Sequence, residues 1–235
     1  MKELIQNLIK EYRLESEEFI YNNSMFILAH YPELQKSDFF LFHFGKVSMF
    51  RQKVDGNLKK FEYELNSMIG TLRSDKLMEY KSRYIEKNLS LIIVAENDEG
   101  TEDLNWMLKS EENYYQSRKY ILTYSRGELE ALNNKIQEID KTLVLSLTEL
   151  VSLNSDKLKN FSGEPWFNLL TRIFTKIPFF NYHITDGEKR VLEDIDKSIF
   201  SKLDELNLIG VYNSILEHDL GADVNDLVEL ITKED

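Results

Sequence analysis

The chain has 235 residues, 42% of them apolar and 30% charged, with a formal net charge of −12; this is the composition of a folded protein with one large domain or two small ones. It holds no cysteine, which excludes disulfides, thiolate nucleophiles and thiolate-bound zinc. The acidic balance argues against binding nucleic acid over most of the surface, and 3 prolines and 9 glycines beside 14 Phe and 12 Tyr argue for a helix-rich packed chain.

Leu4, Ile5, Leu8, Ile9 and Tyr12 recur at helical spacing and predict an opening helix. The same stretch lacks the uninterrupted apolar run of a signal peptide, and no apolar run approaches the length of a membrane span, so a cytoplasmic location is expected. Ser24–Tyr31 and Phe39–Phe44 read as strands separated by Pro32. Val47, Phe50, Val54, Leu58, Phe61, Leu65, Met68, Ile69 and Leu72 fall in steps of three and four and predict one long helix despite Asp55-Gly56. A hairpin turning at Asp55-Gly56 is the competing reading. Asp75–Lys87 is a further amphipathic stretch. Leu89–Ala95 is almost continuously Leu, Ile and Val, the signature of a central strand covered on both faces. A helical stretch, Glu102–Asn113, then leads to a strand at Lys119–Tyr124, which suggests a crossover unit.

From Ser125 the pattern is helical. Ser125 and Glu128 form a capping-box signature ahead of an apolar stripe at Leu129, Leu132, Ile136 and Ile139. Trp166, Leu169, Leu170, Ile173 and Phe174 mark a helix opening near Pro165 and closing at Pro178. Thr185 and Glu188 start another, running through Val191, Ile195, Ile199, Leu203 and Leu206, and Val224–Ile231 is a short last one. The fold class expected is α/β (α+β): an N-terminal part with a small helix-covered sheet, residues 1–125, then a mainly helical part, residues 126–235. Charge follows the same division, about −3 before residue 126 and about −9 from there on. No Lys or Arg lies between Lys202 and Lys233, which makes this end either a solvated surface or a docking face for a basic partner.

No active-site pattern is present. His30, His43, His183 and His218 are scattered without metal-ligand spacing, and His43, inside an aromatic strand, reads as a packed structural histidine. There is no phosphate-binding glycine loop and no Gly-x-Ser-x-Gly elbow. Glu79-Tyr80-Lys81 has a nuclease-like spacing but falls in a predicted helix. Glu96 and Asp98 follow the best strand without a lysine beside them. No catalytic residue, cofactor or metal ligand is therefore assigned. The alternatives are a cryptic metal-dependent nuclease and a free-standing regulatory adaptor. Lys53, Lys59 and Lys60 are the candidate local contact for DNA inside a complex.

Ser110–Tyr124 combines acidic, aromatic and basic residues. It is either a helix-to-strand connection with local pairing or an interaction surface, for which Glu111, Glu112, Tyr114, Arg118, Lys119 and Tyr120 are the candidates. The apolar strand, the short acidic helix, Glu111-Glu112-Asn113-Tyr114 and Arg118-Lys119-Tyr120-Ile121-Leu122 resemble the middle component of bacterial ABC-three-component systems. They are also similar to the small accessory subunit of the related Lamassu anti-phage systems. Ser117 stands where that family often has cysteine. The resemblance covers roughly residues 85–130. It implies a non-catalytic subunit of a defence complex that bridges an SMC-like ABC ATPase and an effector nuclease, with DNA contacted mainly through those partners.

Overall fold

The structure is a computed structural model that describes residues 1–32, 38–54, 57–97, 104–113, 115–158, 163–181 and 201–202. The chain divides into two compact units, Met1–His183 and Ile184–Asp235. In the second, residues 201–202 are helical; the helices expected after Thr185 otherwise lie outside the described residues.

Helix α1 (Lys2–Glu11) buries Leu4, Ile5, Leu8 and Ile9, the stripe its spacing predicts. Strands β1 (Glu15–Tyr21) and β2 (Ser24–His30) follow, joined by Asn22-Asn23 with φ of 48° and 58°. Two left-handed residues between antiparallel strands make a type I′ turn, whose twist matches that of the strands. β1 carries no strand-like alternation of apolar residues, and it pairs with β2 through this turn. Strand β3 (Phe39–Lys46) is antiparallel to β2.

The apolar stripe from Val47 to Leu72 belongs to two helices rather than one, α2 (Val47–Val54) and α3 (Leu58–Asp75). Asn57 starts the second, its side chain accepting a hydrogen bond from the Lys60 N–H at 3.1 Å. Asp75–Lys87 likewise forms no continuous helix: a 3₁₀ helix, Met78–Arg83, meets the single turn α4 (Ile85–Asn88) at Tyr84, which has a φ of 56°. Strand β4 (Leu89–Glu96) lies parallel to β3. A short α5 (Asn105–Leu108) and a 3₁₀ turn (Lys109–Glu112) lead to β5 (Arg118–Tyr124), parallel to β4. The sheet has five strands in the order β1-β2-β3-β4-β5.

Helix α6 (Arg126–Gln137) opens with the capping box foreseen at Ser125 and Glu128. α7 (Leu143–Leu153) and α8 (Pro165–Lys176) follow. Thr142 gives α7 no side-chain cap. Instead Glu11, at the end of α1, accepts from the N–H groups of Leu143 and Val144 at 2.8 and 2.9 Å.

The pleat sorts the strand residues onto two faces. Ile27, Phe40, Phe42, Ile92, Val94 and Leu122 pack with residues of α1, α6, α7 and α8. Phe26, Leu28, Phe39, Leu41, Leu91, Ile93 and Ile121 pack with α2, α3 and the segments between α3 and β5. The molecule is thus an α+β, helix-rich protein with a sheet covered on both sides. β4 is buried almost end to end, as its continuous apolar run requires. Beyond α8, Phe179 and Phe180 close the core against Tyr12, edge-on at 5.4 and 6.1 Å. Among the described residues no helix is long and apolar enough to cross a membrane.

Candidate functional site

The connection from α5 to β5 is a strap fastened from three sides. Glu111 places one carboxylate oxygen on the backbone N–H of Ile121 and the other on Lys176 of α8. Arg73, from the last turn of α3, donates to the side chain of Gln116 at 2.6 Å, to its backbone carbonyl, and to the carbonyl of Glu86 at 2.8 Å. Lys119 reaches back from β5 and donates to the carbonyls of Asn113 and Tyr115 at 2.6 and 2.8 Å. Its side chain is buried, and desolvation lowers its pKa to about 8, against the opposing field of Glu62. Gln116 has a φ of 70°, a left-handed conformation that lets the strap present several carbonyls to one ammonium.

The six residues singled out in this segment therefore take different places. Glu111 and Lys119 face inward and hold the strap. Glu112 and Arg118 are exposed, and Tyr120 is half-buried on the face of the sheet that carries α8. Tyr114 lies outside the described residues.

Beside the strap runs a groove of about 460 Å³ along α3, lined by Tyr63, Asn66, Ser67, Gly70, Thr71, Ser74, Tyr115 and Gln116. Its floor is made of small side chains one helical turn apart, and its rim carries two tyrosines, Tyr63 and Tyr115, that are 71% and 67% exposed. Small residues let a partner approach the helix backbone, and exposed tyrosines are favoured anchors in interfaces. The sequence signal was available: Ser67, Gly70, Thr71 and Ser74 occupy the face of α3 opposite its buried Phe61, Leu65, Ile69 and Leu72. Lys59 and Lys60 are exposed in the first turn of the same helix.

Among the described residues the acidic candidates for catalysis do not come together. Glu79 lies exposed on the 3₁₀ helix before β4, and its neighbour Tyr80 packs on His30 and Phe39 at 5.2 and 5.4 Å. Phe39 pairs with Leu89, whereas Glu96 pairs with Lys46 at the other end of β3. The two glutamates thus sit toward opposite ends of the sheet, where the strand ends are roughly 23 Å apart at a rise of ~3.3 Å per residue. Glu96 accepts from Arg126 at 2.7 Å and from the Tyr124 hydroxyl at 3.4 Å. Asp98 lies outside the described residues. Among the described residues no group of three or more His, Cys, Asp or Glu could hold a metal ion. His43 is buried, stacked on Phe26 at 4.4 Å and edge-on to Phe50 at 5.2 Å.

The strap and the groove lie within residues 47–147, which match the family model described as ABC-three component (ABC-3C) system Middle Component 1. Over that stretch the chain is similar to the middle component of ABC-three-component systems. No curated protein and no solved structure gives a significant match. The matched stretch runs from α2 into α7 and includes both parallel crossovers of the sheet. The strap and the α3 groove thus fall inside the matched stretch, whereas the β1–β2 hairpin and α8, which supplies Lys176 to the strap, lie outside it.

Proposed function

We propose that this chain is the non-catalytic middle component of a bacterial defence assembly, bridging an SMC-like ABC ATPase and an effector nuclease as in Lamassu-type anti-phage systems. The observation that carries this reading is the middle-component match over residues 47–147, the stretch that holds the tyrosine-rimmed groove of α3 and the strap. In this reading Tyr63, Tyr115, Glu112, Arg118 and Tyr120 contact a partner, while Glu111 and Lys119 keep the strap in shape. Lys59 and Lys60 extend the same helix toward any DNA held by the complex.

Co-expression with the products of the neighbouring genes, followed by affinity purification through this chain, tests the reading. The expected result is a stable complex containing an ABC ATPase. Combined Tyr63→Ala and Tyr115→Ala substitution weakens that complex by about tenfold or more, the scale of losing interface anchors, without unfolding the chain. Absence of any ATPase from the purified complex would count decisively against the assignment. Metal-dependent DNA cleavage by the pure chain, lost in Glu79→Ala or Glu96→Ala, would overturn the non-catalytic role.

A further inference from the structure

The two edges of the sheet are finished differently. At β5 the outward Ile121 N–H is occupied by Glu111, which Lys176 holds in place. At β1 no such cover is present among the described residues, and the strand is exposed from Glu15 to Glu18 and again at Ile20. The two-residue turn makes Tyr21 and Ser24 a hydrogen-bonded pair, so Tyr21, Phe19, Glu17 and Glu15 bond inward to β2. Ser16, Glu18 and Ile20 then point their N–H and C=O groups out of the sheet. An uncovered row of this kind is a template for another strand.

The side chains say what that strand contains. Ile20 pairs with Met25, Met25 with Phe44 and Phe44 with Val94, which puts all four in one lateral row on one face. The row is buried at Val94 and opens outward, to 36% exposure at Met25 and 73% at Ile20. It continues into a groove of about 490 Å³ that Met25, Phe44 and Val94 line. A strand added beside β1 would extend this row with an apolar residue next to Ile20. The rest of the strand is acidic and has no basic residue of its own. Glu18 is held by Lys2 at 2.7 Å and by Gln6 from α1, and Glu15 lies 3.7 Å from the His30 ring, so Glu17, with Glu15 on the same face, is the carboxylate left to meet an incoming strand. A second copy of β1 would set carboxylates against carboxylates, which destabilises cross-strand pairs.

We propose that the β1 edge receives an extended segment of a partner protein in which basic residues alternate with aliphatic ones, by strand addition. This deepens the partner-holding reading above and rests on it for where the segment comes from. The recognition chemistry itself rests on the edge.

The probe is a capped peptide, Lys-Val-Lys-Ile-Lys-Val-Lys, with its all-Glu counterpart as control, added to the full chain while amide hydrogen exchange is followed. The basic peptide is expected to slow exchange at Ser16, Glu18 and Ile20 by about tenfold or more, and the acidic one to leave it unchanged. Glu17→Lys, an exposed change compatible with folding, is expected to abolish the protection. No protection by the basic peptide, or equal protection by both, overturns the proposal. In the co-expressed assembly the same amides should be protected, and an assembly that forms while they exchange as in the free chain also overturns it. Failure of any assembly to form would sink the accessory-subunit reading instead, and the peptide result would still decide the edge.

Discussion

Lys119 shows how far a residue's type can mislead about its place. Next to Arg118 it reads as half of an exposed basic pair, yet alternation along β5 sends the two side chains to opposite faces, one exposed and one buried. Burial holds Lys119 near pKa 8, below the ordinary 10.5 of lysine. Between those values the unfolded chain binds more protons than the folded one, so this residue makes stability rise as pH climbs from about 8 toward 10.5. Urea midpoints measured from about pH 7.5 to about 9.5 should therefore increase in the wild type and rise less in Lys119→Met. Identical slopes would show that Lys119 does not titrate in that window. Two residues away, Ser117 is buried and its hydroxyl has no hydrogen-bond partner among the described residues. An unpaired buried hydroxyl is costly, and a thiol in the same space is not. Ser117→Cys is expected to raise unfolding stability by about 1 kcal/mol, and a lower denaturation midpoint would contradict that account.

At the level of elements, α7 and β1 left little trace in the sequence. α7 is apolar nearly all round and has no capping side chain of its own, so neither a period nor a start signal marks it. Its N-terminus is completed by Glu11, 132 residues away from Leu143, a partner visible only in three dimensions. Removing that carboxylate leaves two N–H groups without their acceptor. Glu11→Ala should cost about 1–2 kcal/mol in chemical denaturation, the range for a lost helix cap, and Glu11→Gln distinctly less. Equal effects of the two variants would mean that the side chain matters for packing and not for capping. The α2–α3 break has the opposite character: Asp55-Gly56 is a break signal in the sequence, but the unbroken apolar stripe reads across it as one helix, and the Asn57 cap is seen only in the structure. Both helices lay that stripe against the same face of the sheet, which is why it runs through the break without a change of phase.

For the whole molecule, the surfaces proposed to meet a partner lie where the packing stops. The strap is closed onto the sheet by Glu111, Arg73 and Lys119, and beside it α3 exposes small residues between Tyr63 and Tyr115. The Glu111-to-Tyr124 segment was legible as unusual from its mixture of residue types. The groove was not recognised, because the exposed side of an amphipathic helix acquires meaning only when a neighbouring segment walls it.

By itself the sequence determined the helix-rich α+β class, the buried central strand, the capping box at Ser125 and the absence of cysteine, of a phosphate-loop glycine motif and of paired metal-spacing histidines. These follow from local composition and periodicity, which need no knowledge of neighbours. Only the tertiary structure decided that Glu111 and Lys119 point inward and that Glu79 and Glu96 stand toward opposite ends of the sheet. It alone also decided that Glu111 covers the Ile121 N–H on one sheet edge while, among the described residues, nothing covers the other. Each of these depends on strand register and on contacts between residues far apart in the chain, and a one-residue change of register would reverse the facing of a whole strand.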